Sequence, residues 1–307
     1  MKKLNRKINE LWQRYRNWGK SSFVGDFTVS TMKIVFIAIA FLAIFQILSF
    51  VDPSEDKEQI IEDSSLVDSS EPVNDNCTVA GINIHGKIVT YVPEHAENDS
   101  LFDYDITASE NVFWLIKSAN GNEKIKAILV EVDSSGGYPV AGEEISNAIK
   151  NSEKPIIGFI RETGASAGYW AISSADKIFA SKNSEVGGIG VTMSYLNNVE
   201  KNKKDGYLYE QLSAGKFKDA GNTDKPLTKE EKDLFMRDLN ILYENFIEAV
   251  SQNRGLSVEA VKKFADGSTV LGDKAKELGM IDEIGGINEV EKYLEELIEE
   301  KPEICWE

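Results

Sequence analysis

Ser166 stands in the run Gly164-Ala165-Ser166-Ala167-Gly168-Tyr169-Trp170, a single hydroxyl flanked by small residues. An apolar stretch, Pro155 to Ile160, precedes it, and helix-compatible residues to Ser174 follow, which predicts a buried strand, a tight turn and a helix. Such a turn exposes the hydroxyl and sets it at a helix N-terminus, where free N–H groups stabilise an anion. Attack of a serine on a carbonyl creates an oxyanion that needs those donors. The other reading is an idle serine in a small-residue turn of an α/β domain.

A nucleophile also needs a base. The only histidines, His85 and His95, both precede Ser166, whereas hydrolases of the nucleophile-elbow type place theirs after it. A triad in another chain order stays open, but neither histidine has a motif around it, and both read as structural. The remaining base is a lysine, which works once desolvation lowers its pKa from about 10.4 towards neutrality. Lys218, in the loop Ser213-Ala214-Gly215-Lys216-Phe217-Lys218-Asp219-Ala220-Gly221, is the candidate. Solvated loop charges are the alternative for Lys216 and Lys218, and spacing does not choose. Two histidines, two distant cysteines and no His-Glu-x-x-His spacing make a metal site unexpected, and no cofactor is expected. Gly187, Gly188 and Gly190 are followed by no Gly-Lys-Ser/Thr, so they read as close-packed turns rather than a phosphate cradle.

The elements that must position these groups are legible in outline. Val79 to Tyr91 reads as a strand or hairpin turning at Gly86, and residues 108–118 as a helix. Ile125 to Val132 is a strongly apolar strand ending at Asp133-Ser134-Ser135-Gly136-Gly137, followed by a helix over 139–151. Strand and helix alternating in steps of about thirty residues is the rhythm of a parallel sheet. Its sites gather at the strands' carboxyl ends, where both the Gly136-Gly137 loop and the Ser166 turn fall. Lys177 to Ala180 and Tyr207 to Leu212 read as further strands. Thr228-Lys229-Glu230-Glu231 is a capping box opening a long amphipathic helix to about Asn253. Leu234, Phe235, Leu239, Leu242, Phe246, Ile247 and Val250 form its expected buried face. Gly255 stops it, and shorter helices start at Ser257, near Asp273 and at 287.

The length of 307 residues allows one or two domains. Charge divides it. Residues 1–33 carry eight Lys/Arg against Glu10 and Asp26, so the rest is more acidic than the chain's net −17. A domain that acidic repels phosphates, so no nucleic-acid partner is expected. Residues 34–51 hold no charge and span about 27 Å as a helix, enough for a transmembrane segment. A cleaved signal peptide is shorter in its apolar part. The basic preface places the N-terminus in the cytoplasm and the bulk of the chain outside, on the inner (plasma) membrane. Residues 52–76, rich in Ser, Pro and acids, read as a disordered linker. The folded domain follows over 77–300, with 301–307 a tail. Cys77 and Cys305 bracket it; a disulfide, free thiols and intermolecular pairing all stay open.

Ile128-Leu129-Val130-Glu131-Val132-Asp133-Ser134-Ser135-Gly136-Gly137, Lys154-Pro155-Ile156-Ile157-Gly158 and Ala165-Ser166-Ala167-Gly168-Tyr169-Trp170 resemble the signature of SppA-type signal peptide peptidases. Val186 to Val191, the Gly215-Lys216-Phe217-Lys218-Asp219 loop and residues 272–282 extend the likeness in the right order over about 78–290. The resemblance implies a crotonase/Clp-protease-like fold of repeated β-β-α units with a C-terminal helical part. It implies a Ser166/Lys218 dyad, Gly137 and Ala167 as oxyanion donors, signal peptides as substrates, and a homo-oligomeric ring whose dyads form between subunits. The chain departs from the family pattern where Ser135 replaces proline and Ala167 replaces glycine. Ala167 suits a negative φ and not a positive one. The competing expectations are a non-catalytic scaffold of the same fold and a crotonase-type acyl-CoA enzyme.

Overall fold

The apolar runs around residues 82, 130 and 158 become adjacent parallel strands in a computed structural model of the chain, which describes residues 76–92 and 105–306. β1 (Val79–Val89), β3 (Ala127–Gly137) and β4 (Ile156–Ala165) lie side by side, with Ile82 opposite Val130 and Ile128 opposite Ile156. β2 (Ile106–Ala108) pairs with the far end of β1, while β5 (Lys177–Ala180) and β8 (Glu283–Ile284) continue the sheet beyond β4. β6 (Glu185–Gly187) pairs with the last residues of β4 and, antiparallel, with β7 (Thr269–Leu271). The fold is mixed α/β. β1 remains one strand rather than a hairpin: Asp105 O takes the Lys87 N–H at 2.9 Å, so β2 supplies the pairing that a returning strand would.

The crossover helices α1 (Ser109–Gly121) and α2 (Pro139–Lys150), with the short α3 (Ala167–Ile172), cover one face of the sheet. Ile82, Ile84, Val130, Val132 and Ile160 meet Val112, Ile116, Ile145 and Tyr169 there. Burying each such aliphatic side chain contributes about 1.5–3 kcal/mol. After α4 (Val199–Lys204) comes the long α5 (Lys229–Arg254), capped as its sequence predicts: Thr228 and Glu231 exchange side-chain-to-backbone bonds, and Gly255 ends it at φ 64°. α6 (Val258–Lys262) and α7 (Gly272–Glu277) follow. α8 (Ile287–Ile298) covers the other face with Val290, Leu294 and Ile298 against Val79, Leu129, Ile157 and Phe179.

Three expectations need correction. Tyr207 to Leu212 is not a strand: among the described residues no neighbouring strand pairs with it, and Tyr207, Leu208 and Leu212 are exposed. Of the predicted face of α5, only Phe246, Ile247 and Val250 are buried; Leu234, Phe235, Leu239 and Leu242 are half-buried, so the described residues cover the first half of the helix only in part. Residues 304–306, expected in a tail, form β9 (Ile304–Trp306), parallel to the start of β1. The membrane span over 34–51, the basic segment 1–33 and nearly all of the linker lie outside the described residues. Among the described residues no helix is long and apolar enough to cross a membrane.

Cys77 and Cys305 are bridged, 228 residues apart in sequence, and clasp β9 to β1. Closing so long a loop restricts the unfolded chain, which stabilises the native state by roughly 2–5 kcal/mol. Cys305→Ser should therefore lower the midpoint of thermal unfolding by about 5–15 °C. Unchanged melting in that variant would show that β9 docks without help from the bridge.

Candidate active site

β4 ends at Ala165 and α3 starts at Ala167, so Ser166 alone makes the turn between them. Its backbone lies at φ 52°, ψ −125°, a region that costs a residue with a side chain of order 1–3 kcal/mol. Among the described non-glycine residues only Ser166 and Glu299 have positive φ, and Glu299 is an ordinary left-handed helix end. The strain at Ser166 persists because its surroundings over-determine it. The Ser166 N–H donates to Gly187 O at 2.8 Å, and the Trp170 N–H donates to Ser166 O at 2.9 Å. Trp170 stacks on Phe246 of α5 with ring centroids 4.8 Å apart. The Tyr169 hydroxyl, fully buried, donates to Met280 O at 3.0 Å. The apolar half of the Ser166 motif thus bolts its turn to two other parts of the chain.

The glycine loop after β3 reaches the same place. Gly136, at φ 110°, leaves no room for a side chain: a Cβ there would lie 2.6 Å from Ser166 Cβ and 3.0 Å from both Ser166 Oγ and Ala167 N. Gly137 is equally constrained, since a Cβ would meet Ile88 O at 1.9 Å. Ser166, Ala167 and the Gly136-Gly137 pair are therefore brought together. Ala167 is helical and not at positive φ, so alanine carries no backbone strain there. Space for its methyl comes from Gly142 of α2, where a Cβ would be 3.0 Å from Ala167 Cβ. As the first residue of α3, Ala167 has no carbonyl one turn earlier to accept its N–H.

Ser135 is exposed, and the loop is held instead by Ser134, which the sequence reading passed over. Its buried hydroxyl donates to Gly86 O at 2.6 Å and accepts the Gly136 N–H at 3.0 Å. Two hydroxyls in an Asp-Ser-Ser-Gly-Gly loop carry no sign of which one faces inward. Gly187 and Gly188, read as packing turns, lie beneath the serine: a Cβ on Gly188 would be 3.2 Å from Ser166 N.

Lys218 is not in this cluster. It lies exposed in a turn, its N–H donating to Gly215 O, and nothing among the described residues joins it to Ser166 within the chain. The other loop lysines are engaged: Lys216 pairs with Glu230 at 2.9 Å, and Lys225 with Glu231. Lys218 alone of the three has no carboxylate partner among the described residues. His85 Nε2 lies 3.1 Å from Glu131 Oε1, which also accepts from Arg161 at 3.2 Å, so His85 belongs to a charge cluster on the sheet. His95 lies outside the described residues.

A strained serine at a strand-to-helix turn, packed against a glycine loop, meets a comparison with known proteins on one point. The profile of Peptidase family S49 matches residues 148–301, half of the chain, and that stretch contains both Ser166 and Lys218. The chain belongs to peptidase family S49. Among its relatives, MJ0651 of Methanocaldococcus jannaschii is 32% identical over 206 residues, 66% of each chain. Protease 4 of Haemophilus influenzae is 30% identical over 78% of this chain and 38% of its own. The chloroplastic serine protease SPPA of Arabidopsis thaliana is 29% identical over 59% of this chain and 27% of its own. The chain thus matches from about a quarter to two thirds of these relatives' lengths. A ClpP1 mutant chain from Listeria monocytogenes superposes with a TM-score of 0.41 at 19% identity, covering 67% of this chain and 91% of that one, too remote to bear on the site.

Proposed function

We propose that this S49 member is a serine endopeptidase in which Ser166 is the nucleophile and Lys218 the general base. The observation that carries the reading is the strained backbone of Ser166, held against Gly136 at the carboxyl end of β4. Backbone strain of this kind, kept by a residue that is not glycine, clusters at active sites and ligand clamps. The Gly137 and Ala167 N–H groups take the oxyanion, and no metal or cofactor enters. In this reading the dyad forms between neighbouring subunits of a ring, which the exposed position of Lys218, without a contact to Ser166 among the described residues, supports. The exposed Tyr207, Leu208 and Leu212, with Met236 and Ile241 of α5, supply apolar surface for that contact. Each subunit has the crotonase/Clp-protease-like fold of repeated β-β-α units with a C-terminal helical part. Residues 34–51 anchor the chain in the membrane with the domain on the extracytoplasmic side, and substrates are apolar peptides such as spent signal peptides.

A fluorophosphonate probe tests the site. Ser166 should be labelled in the folded, assembled protein and not after unfolding, and apolar peptides should be cleaved faster than charged ones of equal length. Folded, assembled protein that resists the probe would favour the non-catalytic scaffold. Specific binding of acyl-CoA would favour the crotonase-type reading.

A further inference from the structure

A lysine that acts as a base must lose its proton, and a carboxylate beside it opposes that loss by favouring the ammonium form. Asp219 is the residue next to Lys218. The fold directs its carboxylate elsewhere. The Tyr209 hydroxyl donates to Asp219 Oδ2 at 2.7 Å, and Asn222 Nδ2 donates to Asp219 Oδ1 and to the Tyr209 oxygen, each at 3.0 Å. Lys225 Nζ lies 3.9 Å from Asp219 Oδ2 and pairs with Glu231 of the α5 capping box. The Asp219 and Lys225 side chains are only 19% and 17% exposed, although residues 211–218 around them are exposed throughout. Of the other charged residues near this loop, Glu210 is exposed, and two are engaged. Lys216 pairs with Glu230, and Asp224 Oδ1 accepts from Asn202 at 2.8 Å.

We propose that Tyr209, Asn222 and Lys225 form a clamp that keeps the Asp219 carboxylate away from Lys218, so that the lysine can be neutral when Ser166 attacks. These three are positioning residues: they touch neither substrate nor the reacting atoms. The same contacts, the Tyr209 hydrogen bond foremost, hold the Asp219 carboxyl below the usual carboxylate range, and that bond pushes the Tyr209 phenol up to about 12. The clamp therefore stays intact over the neutral and mildly alkaline range in which a lysine base works.

This inference rests on the Ser166/Lys218 reading, and its test separates the two. The measurement is kcat/KM against pH for the full chain in detergent, comparing wild type, Tyr209→Phe, Asn222→Ala and the double variant Tyr209→Phe/Asp219→Asn. Freeing a carboxylate within about 4–6 Å of the lysine raises its pKa by about one unit or more. The acid limb of Tyr209→Phe should move up by about that much, leaving activity roughly tenfold lower below the limb and recovering as pH rises. Asn222→Ala should move it in the same direction, so the outcome does not hang on one variant's folding. Adding Asp219→Asn should return the limb to its wild-type position. A uniform loss with the limb unmoved would overturn the clamp and leave the network a purely structural one. A limb shift that persists in the double variant would also overturn it, because the carboxylate would not be the cause. Lys218→Ala is measured alongside: substantial activity there overturns the base assignment itself, whereas an inactive Lys218→Ala with unmoved limbs overturns the clamp alone.

Discussion

Ser166→Ala is expected to lose peptide hydrolysis by roughly four to six orders of magnitude in kcat, with the fold intact. Among the described residues the hydroxyl makes no hydrogen bond on which the turn depends; the turn is held by the Ser166 N–H on Gly187 O and by Trp170 on Phe246. Ser166→Gly should be equally inactive but more stable than Ser166→Ala. Glycine adopts φ 52° without a Cβ penalty, whereas alanine keeps the strain of the serine. The difference should be about 1 kcal/mol, or about 2–4 °C in melting temperature for a domain of this size. Activity surviving in either variant would remove Ser166 from the chemistry. Equal melting of the two would mean that the turn stores no strain.

Lys218→Ala should be inactive on the same scale, while Lys216→Ala should retain activity, because Lys216 is taken up by Glu230 on the protein surface. If the serine and lysine of one site belong to different subunits, two dead proteins can repair each other. Co-expressed Ser166→Ala and Lys218→Ala subunits would form mixed rings in which some interfaces hold both intact residues. Recovered hydrolysis is the expected result. No recovery in rings shown to be mixed would place the dyad within one chain, and an active Lys218→Ala enzyme would end the dyad altogether. Since the amine must be neutral to accept the serine proton, wild-type activity should rise with pH through the titration of the assembled lysine.

The sequence alone determined whatever depends on local pattern. Periodicity and punctuation located β3, α2, β4 and α5, because apolar runs and capping residues act over a few neighbours: Thr228 and Glu231 close their box whatever surrounds them. The small residues around Ser166 likewise announced a sharp turn, since only they let backbone pass so closely. Tertiary structure decided the rest. β9 and the bridge from Cys77 to Cys305 join residues 228 positions apart, a pairing that no local preference encodes. That Ser134 rather than Ser135 faces inward follows from where β1 places the Gly86 carbonyl, and that Ala167 fits follows from Gly142 on another helix. Tyr207 to Leu212 has the composition of a strand, but a strand needs a partner for its N–H and C=O groups, and the described residues offer none. The first half of α5 has an apolar stripe evident in sequence, yet Leu234, Phe235 and Leu239 are only half-buried, because how far a stripe is covered depends on what packs on it. Lys218 shows the limit most plainly. Residue type and loop marked it as a candidate base, but the loop between β6 and α5 leaves it exposed, with no contact to Ser166 among the described residues, and no local pattern encodes that.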